Sequence, residues 1–81
     1  MLLDRLGEQE LNQLLLEKHQ DLMEQLELAK KHEVAPWDLR HYLDSFIRFQ
    51  FDITCHMNAR GLKYVLPDIS EVEAFLQANY A

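Results

Sequence analysis

Glycine and proline, the residues that most readily interrupt a helix, occur only four times in this chain. Gly7 and Pro36 stand at the start of two long segments. Gly61 ends the second of these, and Pro67 precedes a short third segment. Proline suits the first position of a helix and glycine the position after its last turn. The spacing predicts two long helices followed by a short one.

The first long segment carries apolar residues at the spacing of one helix face. Glu8 and Glu10 follow Gly7, and Lys30 and Lys31 lie at the far end, as the helix dipole favours. We predict a helix over about residues 8–32. Its buried stripe consists of Leu11, Leu15, Leu22, Leu26 and Ala29.

The second long segment predicts a helix over about residues 36–60. Pro36 suits its first position, and Gly61 suits a left-handed cap after its end. The expected inner face is formed by Leu39, Leu43, Phe46, Ile53 and Met57, widened by Tyr42 and Phe49. Because the link "EVAP" is short, the two helices are expected to form an antiparallel αα-hairpin.

A third helix is predicted over about residues 69–80, after the extended stretch "LKYVLP". A capping box can begin at Ser70, with Glu73 reaching back, or at Asp68. Val72, Phe75 and Leu76 supply its apolar face. The fold class is therefore all-α, with residues 1–81 forming one helical domain.

The short chain suggests that the hairpin does not act alone. A domain of this size buries only about 60–65% of its unfolded surface, and Cys55, the only cysteine, allows no internal disulfide. That leaves a metal, self-association or unusually good helix packing as the source of stability. The hydrophobic content of 48% favours self-association, in which two hairpins would complete a four-helix bundle by dimerisation. The lone cysteine also favours a reducing compartment, and the first residues lack the apolar run of a signal peptide, so we expect a cytoplasmic protein.

The outer side of the second helix is unusually apolar for a helix in a two-layer protein. It carries Trp37, Ile47, Phe51 and Cys55. In one interpretation the third helix covers this side, because Val65, Phe75 and Leu76 need a surface to pack against. In the other it stays open as a contact surface flanked by Arg40 and Arg48. The expected partner-binding residues are Trp37, Arg40, Arg48 and Phe51.

Charged residues also recur at helical spacing. In the second helix the signs alternate every four residues through Arg40, Asp44, Arg48, Asp52 and His56. Such a ladder stabilises a helix by about 0.2–0.5 kcal/mol per pair, which explains these residues better than catalysis does. In the first helix an acidic arc forms either a solvated face or a secondary docking surface; it contains Glu10, Glu17, Asp21 and Glu24.

The sequence gives only weak indications of a catalytic site or a metal site. Asp52 and His56 lie on one helix face and could share a metal, completed by His19 or His41 from elsewhere. Cys55 has no histidine one turn away, and no glycine-rich loop or nucleophile elbow occurs. We expect neither enzymatic activity nor a cofactor.

The net charge of −6 excludes some partners and leaves others. No basic cluster is available to neutralise phosphates, so nucleic acid and anionic membranes are not expected partners. The expected function is that of a small acidic interaction module of the inhibitor, immunity, chaperone or small-subunit type, which binds another protein and also itself. Two alternatives remain open: a metal-binding helical bundle assembled by dimerisation, and a small oligomeric regulatory protein.

Overall fold

The computed structural model describes residues 5–80, which contain helices and no strand. The helices are α1 (Glu8–Lys30), α2 (Pro36–Ala59) and α3 (Ser70–Tyr80). Helices α1 and α2 pack as a hairpin, and α3 lies against α2. The all-α prediction and the three predicted helices are confirmed, with boundaries that differ by at most two residues.

The core of the hairpin consists of the two predicted stripes. The buried residues of α1 are Leu11, Leu15, Leu22, Leu26 and Ala29, and those of α2 are Leu39, Leu43, Phe46, Ile53 and Met57. Near the α1–α2 link, Val72 and Leu76 of α3 complete the core. At the other end Leu62 and Tyr64 pack against it. Tyr42 stays about half exposed, so the inner face is narrower than predicted.

Both long helices end with a residue in the left-handed backbone region. Gly61 has φ 72° and follows α2, as predicted. The amide of Leu62 donates to the carbonyl of Met57 at 2.9 Å, which closes the cap. At the end of α1 the same position is taken by His32, with φ 65°. The sequence pattern did not indicate this second cap, because histidine carries no glycine-like signal.

The extended segment between α2 and α3 follows α1 and is tied to it by hydrogen bonds. The amide of Lys63 donates to Glu8 Oε1 at 2.6 Å, and Asn12 Nδ2 donates to the carbonyl of Lys63 at 3.0 Å. Further along, His19 Nε2 donates to the carbonyl of Asp68 at 2.7 Å. These bonds direct the chain along α1 as far as His19, shortly before α3 begins.

The side chain that caps the start of α3 is that of Asp68, not that of Ser70. Asp68 Oδ1 accepts a hydrogen bond from the amide of Ser70 at 2.9 Å. This bond lowers the pKa of the Asp68 carboxyl below its ordinary value. This bond spans two residues and forms an Asx-turn, whereas in either predicted capping box the side-chain bond would reach the amide three residues on. Lys30 Nζ contacts Glu71 Oε1 at 2.8 Å and links the first turn of α3 to the end of α1.

Candidate interaction surface

The outer side of α2 remains open after α3 has packed. Helix α3 inserts Val72 and Leu76 into the core cluster beside Leu39 and Leu43, and it does not cover the outer side. Three apolar side chains there are largely exposed: Trp37 at 55%, Ile47 at 42% and Phe51 at 65%. Cys55 is exposed as well. We call these four residues, together with Arg40 and Arg48, the outer α2 surface.

Two arrangements within α2 organise this surface. Ile47, Phe51 and Cys55 follow one another at intervals of four and form one row along the helix. Trp37 lies nearer the start of α2, where its ring meets the ring of His41 edge-on with the centroids 5.8 Å apart. The indole therefore rests on a neighbouring side chain of the same helix and not in the core.

The charged ladder of α2 is formed only in part. Arg40 Nε contacts Asp44 Oδ1 at 3.3 Å, and both side chains are about half exposed. Arg48 and Asp52 make no ion pair or side-chain hydrogen bond with any residue between 5 and 80. Intrahelical pairing therefore accounts for the first step of the ladder and leaves the next two charges to the solvent.

The last residue of the ladder is engaged differently. Arg60 Nη1 donates to His56 Nε2 at 3.4 Å and to the carbonyl of Leu6 at 2.7 Å. Because a guanidinium can only donate, this nitrogen of His56 acts as an acceptor. The contact joins the end of α2 to the residues that precede α1.

A groove between α2 and α3 adjoins the outer α2 surface. Its volume is about 390 Å³, and it is open to solvent. The lining residues are Arg40, Leu43, Asp44, Ile47, Glu73, Leu76 and Gln77. Arg40 and Ile47 belong to both features, so the groove widens the surface towards α3.

The acidic residues of α1 are all exposed but do not share one groove. Glu10 and Glu17 line a groove of about 380 Å³ together with the partly buried Leu14. Asp21 lies in a different groove, beside Tyr42 and Phe49. The amide of Gly7 donates to Glu10 Oε1 at 3.3 Å, so Glu10 also serves the start of the helix. The predicted secondary acidic surface, which also includes Glu24, is therefore spread over separate parts of α1.

The histidines considered as metal ligands are not brought together. His19 is held by the carbonyl of Asp68 and meets Phe46 edge-on at 6.1 Å, whereas His41 lies against Trp37. Between residues 5 and 80, no three histidine, cysteine or acidic side chains converge in a way that could hold an ion. Asp52 and His56 therefore have no third ligand within a single described chain.

Two exposed apolar residues of the extended segment were missed by the sequence analysis. Val65 was expected to be buried, but it is 80% exposed, and Leu66 is 55% exposed. The amide of Val65 donates to Asn12 Oδ1 at 3.2 Å. In an extended chain successive side chains point to opposite sides, so Tyr64 packs inward and Val65 outward. The alternation of apolar and polar residues in "LKYV" was the available signal.

The comparisons with known proteins found no relative of this chain. No protein-family model, curated protein or solved structure matches the chain. Among the described helices, none has the length and apolar content that crossing a bilayer requires.

Proposed function

We propose that this protein is a non-enzymatic helical module that acts by binding another protein through the outer α2 surface. The observation that carries the proposal is the exposure of Trp37 and Phe51 on a helix whose opposite side is fully packed. Large aromatic side chains exposed on one side of a helix are typical of interaction sites. Tryptophan and arginine are also the residues that most often dominate the free energy of protein binding.

The charges around the aromatic residues favour a protein as the partner. Arg40 and Arg48 alternate with Asp44 and Asp52 along the same helix. Nucleic acids and anionic membranes are bound by clusters of one positive sign. A surface of mixed sign is suited to the mixed charges of another protein, where complementary positions provide specificity.

The shape of the surface supports the same proposal. Small-molecule sites are usually concave and enclose most of their ligand. The outer α2 surface is the convex side of a helix, and the adjoining groove beside α3 is open.

We place the protein in the cytoplasm, a proposal supported by the single free cysteine, Cys55.

Site-specific photo-crosslinking in cells tests the proposal. A photo-reactive phenylalanine analogue is placed at Phe51, and at Gln20 as a matched control on an exposed part of α1. We expect a covalent protein adduct from position 51 and none from position 20. Adding Trp37→Ala to the chain that carries the analogue at position 51 is expected to remove most of the adduct.

The same experiment can overturn the proposal. Absence of an adduct at position 51 would contradict it, as would equal adducts at both positions. An adduct that persists unchanged in the Trp37→Ala chain would show that Trp37 does not contribute to binding. Far-UV circular dichroism of each variant verifies that the helices are intact.

A further inference from the structure

We propose that the partner of the outer α2 surface is a second copy of this chain, bound antiparallel about a twofold axis that passes midway between Asp44 and Arg48. This inference rests on the proposed function, because it names the partner of the same surface. It is carried by the charge pattern of α2, by the charges that the single chain leaves unpaired, and by the position of the exposed apolar row.

The charge pattern is complementary to itself only when it is reversed. Along α2 the residues Arg40, Asp44, Arg48 and Asp52 carry the signs plus, minus, plus and minus. An antiparallel copy reads minus, plus, minus and plus at the same positions. Arg40 then faces the partner's Asp52, and Asp44 faces the partner's Arg48. Twofold symmetry repeats both contacts, which gives four ion pairs. A parallel copy in register would place like charges together at all four positions.

In a single chain the charged groups of α2 can still pair with the charges of a partner. Arg48 and Asp52 are exposed and have no ionic or side-chain hydrogen-bond partner between residues 5 and 80. Asp44 receives Arg40 Nε on one oxygen at 3.3 Å. A carboxylate has about four acceptor positions, so Asp44 can receive a second guanidinium while it keeps the first. The association therefore adds contacts and breaks none.

The apolar row runs beside the charged row and meets its own copy. Rows of residues four apart on two helices run parallel when the helices cross at about 50°. At that crossing the proposed axis brings Phe51 beside the partner's Ile47, and Ile47 beside the partner's Phe51. These side chains are 65% and 42% exposed in the single chain, so the contact removes apolar surface from water. The charged pairs set the register, and the apolar pairs form beside them.

The size of the contact sets the strength that we expect. Arg40 and Asp52 are separated by about 18 Å along the helix axis. A contact of this length is smaller than the roughly 800 Å² per partner of a stable complex. We expect a dimer with a dissociation constant of roughly 10 to 500 μM, in the range of small transient contacts. Because the ion pairs lie near solvent, salt should weaken the dimer.

Sedimentation equilibrium of the full chain, at a series of concentrations up to roughly 1 mM, tests the register. In low salt we expect a monomer–dimer equilibrium for the 9.6 kDa chain. Arg48→Asp places two like-charge contacts in each dimer, and so does Asp44→Arg. Each variant alone should weaken the dimer by about tenfold or more. Lys31→Asp, which changes the net charge as Arg48→Asp does but lies outside α2, should have little effect.

Combining the two variants gives the decisive result. In an equimolar mixture of Arg48→Asp and Asp44→Arg chains, all four contacts become complementary again, so a heterodimer should form about as tightly as the unaltered dimer. The double variant Asp44→Arg/Arg48→Asp should also dimerise. Failure of either combination to restore the dimer would overturn the register, as would single variants that behave like Lys31→Asp.

The outcome for this inference is separate from the outcome for the proposed function. An unaltered chain that stays monomeric at roughly 1 mM overturns the second copy as partner. If position 51 still crosslinks in cells to a protein of another mass, the interaction surface stands with a different partner. If position 51 gives an adduct of twice the chain mass, both proposals are supported together.

Discussion

His32 and Gly61 adopt the same left-handed backbone conformation, each just beyond the end of a long helix. Glycine reaches this region without a steric penalty, whereas a residue with a Cβ atom pays about 1–2 kcal/mol. No atom lies within 4 Å of a Cβ built on Gly61, so the backbone angle and not crowding makes glycine the suitable residue there. The two caps therefore have the same geometry and different intrinsic stability.

Exchanging the residue types should change the stability in opposite directions. We expect His32→Gly to raise the free energy of unfolding by about 1 kcal/mol, and Gly61→Ala to lower it by about 1 kcal/mol. Urea unfolding followed by circular dichroism measures both. His32→Ala serves as the control, because it removes the imidazole and keeps the Cβ. If His32→Ala stabilises the protein as much as His32→Gly does, the backbone explanation is wrong.

The capping carboxylate of Asp68 predicts a dependence on pH. Because the amide of Ser70 lowers its pKa in the folded state, the charged form stabilises the fold above the ordinary pKa of 3.8. That contribution is lost as the pH falls through the lowered value. Asp68→Asn keeps an acceptor oxygen but does not titrate. We expect the variant to be less stable than the unaltered protein near pH 5, with the difference shrinking as the pH falls to about 2.5.

Urea unfolding of both proteins at these two pH values measures the effect. The two chains differ only at residue 68, so the comparison isolates Asp68. A stability difference that stays constant with pH would contradict the assignment of this cap.

At the scale of the elements, the path of the extended segment decides where α3 packs. Asn12 binds this segment through both ends of its amide, since Nδ2 donates to the carbonyl of Lys63 and Oδ1 accepts from the amide of Val65. Asn12 of α1 thus makes hydrogen bonds to the backbone of this segment like those that a neighbouring β-strand would make. His19 repeats the contact at Asp68 shortly before α3 begins.

Removing the Asn12 amide should loosen this segment while the hairpin stays intact. We expect Asn12→Ala to lower the free energy of unfolding by about 1–2 kcal/mol, the net value of two such hydrogen bonds. Hydrogen exchange at the amide of Val65 should become faster, while exchange at core amides of α2 changes only with the global stability. Unchanged protection at Val65 would show that other contacts hold the segment. Gln13→Ala, at an exposed neighbouring position, is the matched control.

At the scale of the whole molecule, the two sides of α2 differ in their exposure to solvent. Phe46 is almost fully buried against α1 and α3, whereas Trp37 is 55% exposed. Removing a buried phenylalanine side chain costs about 3–5 kcal/mol, because a cavity remains. Removing a largely exposed side chain takes away few packing contacts.

Variants at these two aromatic residues should therefore affect different properties, Phe46 the stability of the fold and Trp37 the association. We expect Phe46→Ala to destabilise the fold by about 3–5 kcal/mol and Trp37→Ala by less than about 1 kcal/mol. In the crosslinking experiment at position 51, Trp37→Ala should nevertheless remove most of the adduct. If Trp37→Ala unfolds the chain, the indole belongs to the core and the outer α2 surface loses its main support.

The sequence by itself determined the helices and the two stripes that join them. Leu11 to Ala29 and Leu39 to Met57 repeat with the period of a helix, and that period reports directly which side of each helix is buried. The cap at Gly61 was also predictable, because glycine is favoured in a left-handed position. These features depend on neighbours within a few residues, which the sequence lists in order.

Only the tertiary structure decided which apolar residues stay exposed. Helix α3 could have packed against the outer side of α2 or against the core cluster around Leu39 and Leu43, and the local sequence does not distinguish the two surfaces. The choice follows from hydrogen bonds between α1 and the extended segment, which join residues about fifty positions apart, such as Asn12 and Lys63. They hold the chain in line with that core cluster, so that Val72 becomes buried while Trp37 and Phe51 stay in contact with water. The candidate surface is thus a consequence of distant contacts, whereas the helices that carry it follow from local periodicity.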